Sequence, residues 1–312
     1  MINFRTDLAI ERRDLFRKAN NIANEVDGLE TQEENMGENV KITRVKVLNE
    51  NGEQAIGKKK GNYITIDIKD LKVANENEIQ KASEAVTQEL KTLIGGLIAP
   101  QDPLLVVGLG NLYVTPDALG PKVVNEIDIT RHLLTYMPEV LSKDARSVSA
   151  VSPGVLGTTG IETLEILKGI VDNTHPKLVI VIDALASRSI ERISSTVQLA
   201  DTGIIPGAGV GNARKELTQD TLGVPVIAMG IPTVVEAATI AADSLTLFIQ
   251  KLQEEAHSNQ FLNELQDEDK YEMIKEVLAP EEYNFIVTPK EIDELIENMK
   301  DVVARGINFA VN

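Results

Sequence analysis

Three short runs of uninterrupted apolar residues constrain this chain most: Leu104-Leu-Val-Val-Gly108, Leu178-Val-Ile-Val-Ile-Asp183 and Val224-Pro-Val-Ile-Ala-Met-Gly230. A strand with one wet face alternates; one that is apolar on both faces is covered on both, as in parallel sheets with helices above and below. Helical periodicity lies between and around them: Glu78–Leu97, Ala118–Thr135, Glu162–Asp172 and Thr233–Leu252, with a short strand near Ser147–Val151. The pattern predicts an α/β fold with a mostly parallel central sheet flanked by helices. Its packing must be aliphatic, because aromatics are only 4% of residues and Trp is absent.

At both ends the pattern changes. Lys41–Leu48 and Asn62–Ile68 alternate around Asn51-Gly52, which predicts an N-terminal β-hairpin over 40–68. Residues 1–39 read as polar apart from a helix near Arg13–Val26, and 253–285 as an acidic, peripheral helical segment. Thr288-Pro289 has the form of an N-cap followed by N1, starting a last helix that runs to about Ala304.

Charge and composition narrow the function. A net charge of -17 opposes binding to nucleic acid or anionic membrane. The one dense basic stretch, Lys58 to Lys60, reads as a solvated turn. With no cysteine, thiolate catalysis and disulfides are excluded, in keeping with a reducing interior. The start of the chain has no signal-like apolar core and no apolar run approaches the ~20 residues of a spanning helix, so a soluble intracellular protein is expected.

Gly108-Leu-Gly110 after the first apolar run suggests a dinucleotide loop, but Tyr113 stands where the third glycine belongs. Asp117, after Thr115-Pro116, reads either as a first-turn acid complementing a helix dipole or as a catalytic group. Asp183 reads either as an N-cap or likewise as an acid at a strand end. In open parallel sheets the crevice lies beyond the carboxyl ends of the strands. If the two strands are neighbours, Asp117 and Asp183 share that rim and can split their pKa values into an acid and a base. Asp201-Thr202-Gly203 resembles the aspartic-protease tripeptide, yet occurs once in an α/β chain and reads as a turn. His132, His175 and His257 lack metal-ligand spacing, and Ser194-Ser195-Thr196 reads as a strand start.

The runs 108–124 (GLGNLYVTPDALGPKVV) and 179–212 (VIVIDALASRSIERISSTVQLADTGIIPGAGVGN), with Arg5–Glu11 and Val287–Ile296, closely resemble the germination protease family of spore-forming bacteria. That resemblance implies an atypical aspartic endopeptidase that degrades small acid-soluble spore proteins as germination begins, located in the forespore and spore core. It implies a fold like the hydrogenase-maturation peptidases, a homotetramer, no cofactor, and catalytic acids at Asp117 and Asp183. It also implies a zymogen that cuts itself at a site of the form acid, large apolar, Ala, any residue, Glu. Asp7-Leu-Ala-Ile-Glu11 has that form, so the expected cut lies between Asp7 and Leu8, separating a pro-segment (1–7) from one peptidase domain (8–312). Two other readings stay open: a phosphorylase- or nucleosidase-like phosphate-binding enzyme, and a peptidase assisted by a metal.

Overall fold

The computed structural model describes residues 6–69, 71, 75–142, 144–211, 213–255, 274 and 285–311. In chain order it contains α1 (Ala9–Ala19), β1 (Leu29–Met36), β2 (Val40–Val47), α2 (Glu50–Ile56), β3 (Gly61–Ile68), α3 (Glu76–Gly95) and β4 (Leu104–Gly108). Then come α4 (Leu119–Val124), α5 (Arg131–Tyr136), β5 (Val148–Val151), α6 (Leu156–Thr159), α7 (Thr163–Thr174), β6 (Leu178–Ser187) and β7 (Thr196–Ala200). The last are α8 (Gln219–Leu222), β8 (Val226–Glu236), α9 (Ala237–Glu255), β9 (Ile286–Val287) and α10 (Ile292–Val311).

One sheet runs β1-β2-β3-β7-β8-β6-β4-β5, with β9 added to β8. The three apolar runs are its parallel heart: β4 pairs with β5 and β6, and β6 with β8, all parallel. β6 is buried on both faces. Ile180 and Ile182 join the layer under α3, α4 and α10, while Val179 and Val181 join Leu167 and Val171 of α7 on the other side. Each such side chain contributes roughly 1.5–3 kcal/mol relative to exposure. The helices pack closely there; a Cβ on Gly306 of α10 would stand 2.5 Å from Val86 of α3.

The expected α/β architecture is present, joined to a β1-β2-β3-β7 antiparallel extension. β2 and β3 pair antiparallel as expected, but Asn51-Gly52 makes no tight turn. Asn49 caps α2 by accepting from the N–H groups of Asn51 and Gly52, so a helix joins the two strands. β1, LETQEENM, lies in the stretch read as polar, outside the helix expected there. Its exposed residues are polar and it gains order by pairing with β2, which no local periodicity announces. The Ala118–Thr135 helix is two short helices, α4 and α5. α10 begins at Ile292, because the Thr288 hydroxyl donates to the Thr233 carbonyl at 2.9 Å instead of capping. It runs to Val311, past the expected end. The acidic segment read at 253–285 falls almost wholly outside the described residues, as does His257. Among the described residues no helix is long and apolar enough to cross a membrane.

Candidate active site

From β4 the chain passes by α4 to the edge strand β5, then returns by α7 to β6 on the opposite side of β4. The order reverses between β4 and β6, and open α/β sheets present their crevice at the carboxyl ends of two such strands. Gly108, the last residue of β4, is level with Ile182. The Leu109 N–H donates to the Ile182 carbonyl at 2.8 Å, binding the loop after β4 to the residue before Asp183.

That loop is shaped by its glycines. A Cβ on Gly108 would lie 2.1 Å from the Gly120 carbonyl oxygen, so strand and helix touch through their backbones. Gly110 has φ +115, and a Cβ there would meet the Asp117 carbonyl oxygen at 2.0 Å. The pair that resembled a dinucleotide loop therefore folds residues 111–117 back over the strand end. Asn111 N–H donates both to the Asp117 carbonyl (3.0 Å) and to its side-chain Oδ2 (2.8 Å). The 3-10 turn Thr115–Asp117 packs on β6 and β8.

The structure thus brings Asp117 and Asp183 to one rim. Asp183 is buried in β6, opposite Gly230 of β8. Burial raises its pKa well above the ordinary carboxylate value, the Asp117 charge raises it further, and an Ala184 N–H opposes both. Asp117 is half-buried; desolvation lifts its pKa to about 6 against the pull of the Asn111 N–H. Unequal burial and mutual repulsion therefore favour the proton on Asp183 over Asp117.

A third acid belongs to the same field. Asp7 also raises the pKa of Asp183. Asp7 N–H donates to the Ala186 carbonyl at 3.1 Å, and its Oδ2 accepts from Ala186 N–H at 3.1 Å. Gln198 of β7 clamps the segment further, donating to the Asp7 carbonyl (3.4 Å) and accepting from Ala9 N–H (2.6 Å). Leu8 and Ala9 are completely buried. Gly209 is needed beside them, since a Cβ there would lie 1.9 Å from Asp7 Oδ2. Asp7 and Lys58 line a cavity of about 180 Å³ with Leu185, Gln198 and Gly230. Burial raises the Asp7 pKa, which Lys58 and Arg12 counteract. Lys58, read from the sequence as part of a solvated turn, is instead drawn into this cavity, where desolvation lowers its pKa to about 8.

The remaining candidates lie apart from the dyad. Asp201 accepts from Asn62 N–H (2.8 Å) and Asn62 Nδ2 (2.6 Å), fixing a turn after β7 as its tripeptide context suggested. His175 terminates α7 in a left-handed conformation, and Ser195 donates to the Glu191 carbonyl at 2.6 Å. Among the described residues no three His, Asp or Glu side chains converge as they would on a metal ion. Sequence reasoning missed Lys58, Gln198 and Gly209, which reach the site only through long-range pairing.

The sequence profile described as germination protease matches residues 7–263 and 251–312. Germination proteases of Caldanaerobacter subterraneus subsp. tengcongensis, Clostridium perfringens and Priestia megaterium are 49%, 46% and 42% identical to this chain. The matches cover 100%, 100% and 99% of it and 95%, 96% and 93% of the relatives. Among solved structures, the [NiFe] hydrogenase maturation protease HycI from Thermococcus kodakarensis is 17% identical with a TM-score of 0.26, covering 44% of this chain and 78% of its own. That last likeness is too slight to bear on fold or function.

Proposed function

Because this chain belongs to the germination protease family, and is therefore a peptidase, we propose that it hydrolyses small acid-soluble spore proteins through an Asp117/Asp183 dyad, first releasing its own residues 1–7. In this reading the Asp117 carboxylate takes a proton from water as the oxygen attacks the peptide carbonyl carbon. Protonated Asp183 donates its proton to the carbonyl oxygen, giving a tetrahedral gem-diol. As the C–N bond breaks, Asp117 passes the proton it took from water to the departing amine and Asp183 takes back a hydroxyl proton, so the product is a carboxylic acid and the pair is restored.

The observation that carries the proposal is the location of the Asp7–Leu8 bond. An acid-apolar peptide bond is buried, held by Ala186 and Gln198, with its acid close enough to Asp183 to raise that pKa. A segment so placed keeps the site closed to other peptides until it is cut. The exposed loop residues Leu112, Tyr113 and Val114 lie just before Asp117, ready to grip an incoming apolar side chain. Under the same proposal residues 8–312 form one peptidase domain, the protein acts in the forespore and spore core as a homotetramer, and no cofactor takes part. Exposed Leu247, Phe248, Phe285 and Ile286 supply apolar surface for such assembly.

Mass spectrometry of full-length protein during incubation tests this. Loss of Met1–Asp7 with a new N-terminus at Leu8, blocked in Asp183→Asn, is expected; an intact chain or a cut elsewhere counts against it.

A further inference from the structure

One neutral side chain brackets the Asp7–Leu8 bond. Gln198, buried in the middle of β7, donates through Nε2 to the Asp7 carbonyl oxygen at 3.4 Å, which is the oxygen of that bond. Through Oε1 it accepts from Ala9 N–H, the second N–H past the bond, at 2.6 Å. The contacts settle which way round the amide lies. A main-chain N–H only donates, so the amide oxygen faces Ala9 and the NH2 group faces the carbonyl.

Strand register sets Gln198 beside the acids. It stands opposite Gly230 of β8, and Gly230 stands opposite Asp183 of β6. Residues paired across strands project to the same face of a sheet, so Asp183 and Gln198 flank Gly230 on one face. Gly230 adds no side chain between them, and a Cβ there would meet Leu185 Cδ1 at 2.2 Å. The neighbours Val197 and Leu199 belong to the core on the other face, so packing alone does not call for a glutamine between them. A buried amide is costly unless both of its ends are bonded. Here both ends are bonded to the main chain around a single peptide link.

We propose that Gln198 holds the cut peptide link of any substrate through main-chain atoms alone, and that its amide N–H stabilises the negative charge that develops on the carbonyl oxygen as water attacks. The inference rests on the reading that the Asp117/Asp183 pair cuts Asp7–Leu8. A carbonyl oxygen has two lone pairs: one takes the proton of Asp183, the other accepts from Gln198, and no proton leaves the amide. As the water oxygen bonds to carbon, the π pair of the C=O bond moves onto its oxygen, which becomes the stronger acceptor. A contact of 3.4 Å in the resting state then tightens where the barrier lies, while the shorter bond to Ala9 N–H keeps the peptide in register.

The test uses the full-length protein and two peptides copying residues 4–14. One is all-amide; the other has an ester between the positions of Leu8 and Ala9, which removes the Ala9 N–H and leaves the cut bond intact. Wild type should cut the all-amide peptide between Asp and Leu with kcat/KM roughly tenfold above the ester, and no less than about threefold. Gln198→Met, similar in shape but without the amide, should lower kcat on the all-amide peptide by more than tenfold, toward about 100-fold, and bring the amide-to-ester ratio within about threefold. That ratio is internal to one variant, so the amount of folded protein does not enter. If Gln198→Met fails to fold, Gln198→Asn decides: one methylene shorter, it reaches one of the two atoms at most and should lose either kcat or the ester discrimination. A Met variant with kcat within about tenfold of wild type or a ratio still above about threefold overturns the role of Gln198 and leaves the cleavage reading standing. So does an Asn variant that keeps both properties, or a wild type indifferent to the ester. Failure of the wild type to cut the all-amide peptide overturns both.

Discussion

Asp7 and Ala186 are joined twice, by Asp7 N–H to the Ala186 carbonyl and by Ala186 N–H to the Asp7 carboxylate, each at 3.1 Å. Ala186 follows Asp183 by three residues on the same strand, so this ring fixes the start of the chain against the strand that bears the buried acid. The position of the segment depends on the fit between Asp7 and its surroundings.

Gly209→Ala tests that fit. The added methyl would overlap Asp7 Oδ2, and the segment is easier to displace than the surrounding sheet. Release of residues 1–7 should slow by at least ~10-fold, and limited trypsin digestion should open the chain near Arg12 and Arg13. A variant that processes at the wild-type rate would show that Asp7 is not seated as described.

Asp183→Asn should stabilise the protein, in a pH-dependent way. The folded-state pKa of Asp183 lies well above that of an unfolded carboxyl. Its contribution to stability is therefore fully present below about pH 4 and is lost as pH rises toward the folded pKa. Asparagine removes that loss. Calorimetry should give a higher Tm than wild type at pH 7 to 8, by roughly 2–4 °C per kcal/mol recovered, and little difference near pH 4.

The pH dependence of hydrolysis follows from the same groups with a separate sign. Asp117 acts as base only when ionised, so kcat/KM should rise through about pH 6 and fall again where Asp183 loses its proton. Asp117→Asn should remove the acidic limb. A flat profile between pH 5 and 7 in the wild type would argue against Asp117 as the base.

Gly110→Ala separates a packing loop from a phosphate loop. With φ at +115 and the Asp117 carbonyl 2.0 Å from the added Cβ, the substitution should cost more than ~1 kcal/mol and impair hydrolysis. Added nucleosides or phosphate should leave the wild-type Tm unchanged; a marked rise would favour the phosphorylase-like alternative. Chelator should likewise leave hydrolysis intact, and its full loss would favour a metal-assisted reaction.

What could be read in advance divides along physical lines. β4, β6 and β8 announce themselves because burial on both faces demands continuous apolar residues, and their carboxyl ends point to Asp117 and Asp183. Adjacency of the two acids depends on strand order, which no local spacing contains. β1 escaped notice because its exposed positions are polar and its order comes from pairing with β2. Asn51-Gly52 has the composition of a tight turn, but the Asn49 cap makes it a helix start instead. Lys58 looked solvated among three lysines until long-range pairing carried it into the cavity with Asp7. Gln198 carried no chemical signature at all.

The most direct test is steady-state hydrolysis of a spore-protein peptide by wild type, Asp117→Asn and Asp183→Asn, each confirmed folded by its thermal transition. Both substitutions should lower kcat by about 10³-fold or more while leaving KM within a few fold. Either variant retaining kcat within tenfold of wild type would contradict the assignment of hydrolysis to this pair of acids.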